Sequence, residues 1–370
     1  MPEWPQSVPT AAYTDPYADR HVDGPGLGSG LGRERARSFF WFLLAVLYAL
    51  VAEQVAPRIA SILTPGVFFP FVSSMTFLLM LLAGFSAMAM LGQRQGRPLA
   101  QMGLARRPGA LHEWGLGAAL GWTGIVLVIL PVALVGGLVI TLNDQSLLYG
   151  FTTLCVDFLT LLTASLAAEV LFRGYPFQRL IDTTGVTLAA LLVSLLFAID
   201  RMGSDPISLI NFLVTFLMGL LLCMAYLRTR ALWVGWGFHF TWSASTAILF
   251  GLPVSGHTEF SPIISTYTAG PEWLTGGGVG LEGSAVAVVV LMVLIVATAR
   301  VTRELRHRWA IPEIVGAGIP VDIDGIARQQ HAEGMGPGTA SGSVSGSAAE
   351  PAAPALIQIA PAPPSEPPHS

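Results

Sequence analysis

Apolar residues in this chain fall into blocks close to the roughly 20 residues that a helix needs to cross a bilayer. Short polar connectors separate them. The first block starts near Phe39 and fades around Val55; the second runs from Val67 to Leu91. A connector with Arg94, Arg97, Arg106 and Arg107 follows, and its end, Ala110 to Trp114, is a candidate interfacial helix. The third block covers Leu116 to Leu142, and the fourth opens near Phe151 and continues to about Leu180. The fifth is Val186 to Ile199, the sixth Ile207 to Leu227, the seventh Leu232 to Phe250 and the eighth Ser284 to Ala299. This pattern predicts an all-α polytopic membrane protein of about eight transmembrane helices. Residues 1–37 read as a disordered cytoplasmic tail and 38–310 as the transmembrane domain. Residues 311–370, rich in Ala, Pro, Gly and Ser, read as a low-complexity disordered tail. A long Gly/Pro/Thr/Ser segment, Gly251 to Gly283, reads as an outer lid or connector.

Composition agrees with the pattern. Apolar residues make up 53% and charged residues 11%, against about 25% charged in an ordinary soluble domain. Mean hydropathy is +0.63. The net charge of −4 gives no reason to expect a nucleic-acid partner; the expected partner is the lipid bilayer. The N-terminus lacks the apolar stretch of a signal peptide. Cys155 and Cys223 both sit in apolar blocks and suggest neither a disulfide framework nor a zinc site. No metal and no cofactor is expected. All basic residues are arginine. Their placement alternates along the connectors: Arg33, Arg35 and Arg37 before the first block, only Arg58 after it, four in the next connector, none between the third and fourth blocks. Arg201, between the fifth and sixth blocks, is the exception; Arg228 and Arg230 follow the sixth block, and Arg300, Arg303, Arg306 and Arg308 follow the eighth. The positive-inside rule then predicts both termini in the cytoplasm, with the chain in a bacterial inner membrane.

Ionisable groups inside apolar blocks cost about 2.5 to 3.5 kcal/mol each at the bilayer centre on insertion scales, so they usually face a partner or a cavity. Three places stand out. Glu169 and Arg173 are four apart and share one helix face. They suit either an internal ion pair or a carboxylate poised on water. Asp200 and Arg201 end the fifth block and suit either an interfacial cap or a polar cluster. His239 lies in the seventh block and suits either a packing role or that of a ligand or oxyanion donor. Counted at about 1.5 Å per residue from the cytoplasmic helix ends, Glu169, Arg201 and His239 reach one layer of the membrane.

At these residues the chain resembles the CPBP family of CAAX prenyl endopeptidases and bacteriocin-processing relatives, also called intramembrane glutamic proteases. The family is an eight-helix membrane fold with three signatures: two adjacent glutamates followed after three residues by arginine, phenylalanine followed after three by histidine, and histidine followed after three by asparagine or aspartate. The resemblance is carried over roughly 161–250 by the run from Glu169 to Tyr175, by Phe197 and by His239. It implies that the first glutamate activates water and that the two histidines and the asparagine hold that water or steady the tetrahedral intermediate. Here the first glutamate is Ala168, the second-motif histidine is Arg201 and the final asparagine is Ser243. Alanine accepts no proton, and arginine gives up none and coordinates no metal.

Two functional readings therefore stand side by side. One is an intramembrane endopeptidase with weakened or lost peptidase chemistry, resting on Glu169 and His239 with Arg173, Asp200, Arg201 and Ser243 around them. The other is a non-catalytic membrane scaffold or peptide-binding pseudoprotease that holds a peptide or membrane-protein client in the old cavity. A transporter has little to support it, because no paired inverted repeats are evident.

Overall fold

The computed structural model describes residues 27–92, 102–104, 109–201, 209–254, 260 and 263–309. Within them the chain is a bundle of helices with one small two-stranded antiparallel sheet. Helices α1 (Leu27–Leu63), α2 (Phe69–Gly92) and α3 (Ala110–Leu134) come first. Strand β1 (Leu138–Leu142), α4 (Leu147–Arg173), the short α5 (Tyr175–Thr184) and α6 (Val186–Arg201) follow. Then come α7 (Leu209–Thr229), α8 (Trp233–Ala244), strand β2 (Ile264–Thr268), the one-turn α9 (Glu272–Thr275) and α10 (Ala285–Trp309).

Eight of these helices fall on the eight expected apolar blocks. Among the described residues, six helical stretches are long and apolar enough to cross a membrane: 32–63, 69–92, 110–134, 147–184, 209–229 and 285–302. The other two blocks form the shorter α6, of 16 residues, and α8, of 12 residues. A π-helical turn over Ser245–Leu249 prolongs α8.

Several sequence-based boundaries shift. Helix α1 begins at Leu27, so the last part of the expected disordered tail is helical, and it continues past Val55 through Pro57 to Leu63. Proline is tolerated in such a helix because neighbours and local adjustments re-satisfy the freed backbone groups. Ala110 to Trp114 is the first turn of α3 rather than a separate interfacial helix. The third apolar block is divided. Gly136, with φ of 72°, ends the helical course, and Leu138–Leu142 turns into a strand paired antiparallel with Ile264–Thr268. The rest of the two expected tails and the arginine-rich connector at 93–101 and 105–108 lie outside the described residues.

Two packing centres hold the bundle. Around Phe85, Tyr175 and Phe177, helices α1, α2, α4 and α5 meet. Alanines 45, 49, 52, 56 and 60 of α1, spaced three or four apart and all buried, form its contact stripe. The second centre gathers α3, α6, α7, α8 and α10 around Ile125, Phe197, Leu222, Phe238 and Trp242. Where α3 crosses α8 the backbones nearly touch. A Cβ on Gly117 would collide with the Val234 carbonyl, one on Gly237 with the Trp114 carbonyl, and one on Gly121 would come 2.5 Å from the Phe238 carbonyl. Lipid tails are as apolar as leucine, so such close packing of small residues is what draws membrane helices together. It also fixes the height of α8, which carries His239.

The segment after α8 folds back onto the bundle. Leu252 and Leu281 are buried in the second packing centre, and the Thr266 amide donates to the Gly251 carbonyl at 2.8 Å. The expected outer loop is thus an ordered cap in its described part.

Candidate functional site

Glu169 projects from the last turns of α4 at 1% exposure, and Arg173, one turn on, is 0% exposed. The α4 helix stops directly after Arg173. Gly174 leaves helical geometry, and Tyr175-Pro176 opens α5, with proline in the first turn where a missing amide proton does no harm. Arg173 therefore stands at a helix C-terminus, the end that favours a cation. Its Nη1 lies 3.5 Å from Glu169 Oε1, and its Nη2 donates to the Gly219 carbonyl of α7 at 3.3 Å. Phe197 receives the guanidinium on its ring face, with Cζ at 4.5 Å from the centroid.

His239, at 1% exposure on α8, completes the arrangement. Its Nδ1 is 3.0 Å from the same Glu169 Oε1, and its Nε2 is 2.6 Å from Arg201 Nη2 on α6. Arginine has donors only, so Nε2 must accept and Nδ1 must carry the proton that Glu169 receives. Gly235, one turn before His239, makes room for the carboxylate: a Cβ there would stand 2.8 Å from Glu169 Oε2. The imidazole meets Phe197 edge-on at 5.9 Å, and Arg201 lies over the same ring at 5.5 Å. Helices α4, α6, α7 and α8 thus converge on one network, the buried Glu169, Arg173 and His239 with the half-buried Arg201, wrapped around Phe197.

Beside this network lies a cavity of about 410 Å³, within the size range of ligand sites. Ala168, Arg201, His239 and Ser243 line it, as do Glu53, Ser73 and Asp200. Glu169 is not among its lining residues. Adjacent helix positions differ by about 100°, and that rotation separates the two side chains. The position facing the cavity is alanine, and the remaining glutamate points into the wall. A smaller space of about 20 Å³ lies on the far side of Arg201 and His239, bounded also by Asn211, Ser243 and Glu282.

The sequence-derived residues thus divide. Glu169, Arg173, Arg201 and His239 are joined by hydrogen bonds and ion pairs. Ser243, 6% exposed, borders both spaces and has no hydrogen bond to any described residue. Asp200 opens onto the larger cavity together with Glu53, and neither carboxylate is hydrogen-bonded or ion-paired to a described residue. Glu53 was missed by sequence reading, although a lone acid inside the first apolar block is the kind of intramembrane charge that marks a site. Glycines 219 and 235 were missed as well, and nothing short of the packing reveals them. Among the described residues no three His, Cys, Asp or Glu side chains are grouped to hold a metal ion. The network itself suits none, since both imidazole nitrogens are engaged and two guanidiniums stand close by.

Chemically, the arrangement fixes the imidazole through both of its nitrogens. Its proton is held by Glu169 and its lone pair by Arg201. A general base needs a free acceptor within hydrogen-bond reach of the proton it removes. Within the motif set, only the Ser243 hydroxyl remains unengaged towards the cavity.

Residues 150–245, the segment that contains the whole network, match the family described as type II CAAX prenyl endopeptidase Rce1-like. The resemblance read from the Glu169 to Tyr175 run, Phe197 and His239 is borne out over that segment. No curated protein matches the chain, and no solved structure does.

Proposed function

With its motif segment similar to the Rce1-like CAAX prenyl endopeptidases, we propose that this membrane protein keeps the architecture of such an endopeptidase while its standard peptidase chemistry is weakened or lost. On this reading it acts as a non-catalytic pseudoprotease that holds a peptide or transmembrane segment in the cavity. The observation that carries this is the split between Ala168 and Glu169. The cavity-facing position has no carboxylate, and the neighbouring carboxylate is committed to Arg173 and His239 in the wall. Arg201 reinforces the point. It stands where the family has a histidine, and it closes off Nε2 of the remaining one.

A second reading, an endopeptidase working through Glu169 and His239, rests on the 3.0 Å bond between them. It requires Arg201 to leave Nε2 and water to reach a carboxylate outside the cavity. The orientation proposed for the chain, both termini cytoplasmic in a bacterial inner membrane, follows from the arginine alternation.

The test is cleavage of fluorogenic peptides, prenylated and unprenylated, by the purified full chain in detergent, with Glu169→Ala and His239→Ala as controls. The non-catalytic reading expects no turnover above the level of the two variants. Turnover that either substitution abolishes would establish the endopeptidase reading instead.

A further inference from the structure

The cavity does not end at the motif residues. A second, apolar space of about 270 Å³ adjoins it, bounded by Phe42, Val46, Leu50, Val193, Leu196 and Ile199. The two spaces have four lining residues in common: Glu53, Leu171, Phe172 and Asp200. Helix α1 packs mainly on α2 and α5, and α6 mainly on α5 and α7. The slot therefore runs between α1 and α6, which do not close on one another. Its walls are hydrocarbon, and the two carboxylates stand where it meets the polar cavity.

Those carboxylates pose a question that the motif network does not answer. Glu53 and Asp200 make no hydrogen bond or ion pair with a described residue, yet Glu53 sits within a helix long and apolar enough to cross a membrane and Asp200 near the end of the apolar α6. The nearest cation in the same wall is Arg201, whose Nη2 is committed to His239. Further in, Ser243 is more than nine-tenths buried, borders the same cavity and has no hydrogen-bond partner among the described residues. An occupant must be long and apolar to fill the slot and positive where it reaches Glu53 and Asp200. It also needs a hydrogen-bonding group at its head to use Ser243. Anionic amphiphiles meet two carboxylates there, and neutral ones leave Glu53 facing Asp200 with no opposite charge of its own, since Arg201 acts on Asp200 alone of the two.

From this juxtaposition we propose that the double cavity binds a cationic amphiphile, an apolar chain ending in an ammonium group. The chain lies in the slot between α1 and α6, and the head is held by Glu53 and Asp200. The proposal rests on reading the cavity as a binding site and gives the chemical class of what it takes. An ammonium has three donors to offer the carboxylates that line the cavity.

The experiment uses the full chain in phosphatidylcholine nanodiscs and a dodecylammonium probe with a photoreactive diazirine at its tail. Crosslinking to Val46, Leu50 or Leu196 in the slot is expected. It should fall at least tenfold in the double variant Glu53→Gln, Asp200→Asn, because a single charge-assisted hydrogen bond supplies a factor of about that size. The matching dodecanol probe should label weakly and equally in both proteins. A dodecyl sulfate probe should not label the slot. Leu50→Trp, which fills the slot and leaves both acids in place, should also block labelling, so the proposal stays testable if the double variant is poorly folded. Equal labelling of wild type and variants, or alcohol labelling as strong as that of the amine, overturns it. Because the readout is independent of peptide cleavage, a cleaving protein that captures the amine refutes only the pseudoprotease reading. A silent protein that does not capture it refutes only this inference.

Discussion

Replacing Glu169 by alanine should destabilise the protein mainly through what it does to Arg173. The substitution removes the oxygen that Arg173 Nη1 meets at 3.5 Å and His239 Nδ1 meets at 3.0 Å. Arg173 would keep its bond to the Gly219 carbonyl and its place over Phe197, but it would be a fully buried guanidinium with no anion beside it. Removing one partner of a buried ion pair costs about 3–5 kcal/mol. An uncompensated arginine at the bilayer centre costs about 2.5–3.5 kcal/mol on insertion scales. A lost hydrogen bond between membrane helices averages only about 0.6 kcal/mol. The orphaned charge therefore dominates, and Glu169→Ala should cost about 3–4 kcal/mol. Glu169→Gln removes the same charge and should cost about 3 kcal/mol, even though its carbonyl still accepts from His239. Arg173→Met alone should cost less, about 2 kcal/mol, since His239 continues to donate to the carboxylate. Glu169→Gln combined with Arg173→Met leaves no orphaned charge and keeps the imidazole bonded, so most of the loss should be recovered, to within about 1 kcal/mol of wild type. The assay is reversible unfolding in mixed dodecyl maltoside and sodium dodecyl sulfate micelles, followed by circular dichroism across this four-protein cycle. Additive single effects, with a double variant as unstable as their sum, would mean that the charges are not coupled and that the network was misread.

Three further outcomes follow from the same geometry. Gly237→Val drives a side chain into the Trp114 carbonyl of α3 and should cost about 1–3 kcal/mol, the range for overpacking; a midpoint unchanged in the micelle assay would contradict the close crossing. Ala168→Glu adds a carboxylate on the cavity side. Combined with Arg201→His and Ser243→Asn it should restore measurable cleavage of the fluorogenic peptides, and complete silence in a folded triple variant would mean that the cavity itself no longer presents a substrate. A fluorescent protein fused to the C-terminus should fluoresce and alkaline phosphatase fused there should be inactive, as a cytoplasmic end requires; the opposite pair of results would invert the orientation read from the arginines.

How much of this was legible beforehand depends on whether a feature leaves a local trace. The spans did, because a bilayer imposes its own thickness on each apolar block. Helix ends did so less well. Leu138–Leu142 continues the third apolar block and differs from helix only in following Gly136-Gly137, a break that hydrophobicity alone does not register. Its partner strand lies far along the chain, in a stretch rich in turn residues. The meeting of Glu169, Arg201 and His239 was visible because each motif sits at a countable depth below a helix end, and depth along a membrane helix is nearly a coordinate. Rotation about the helix axis is not. The sequence puts Ala168 and Glu169 side by side, and only the packing of α4 against α8 decides which of them faces the cavity. The same limit hid Glu53, a single acid with no spacing partner in its own helix. Its significance depends on Asp200 across the gap between α1 and α6, a relation carried by tertiary structure alone. If the acid that matters for ligand capture is Glu53 rather than Glu169, the charge conserving the fold and the charge doing the recognition lie on opposite sides of one helix wall. Substituting them separately should then split stability from binding: Glu169→Gln should lower the unfolding midpoint and leave amine capture intact in the folded fraction. Glu53→Gln should do the reverse, and a loss of both by either change would place the two acids in one network after all.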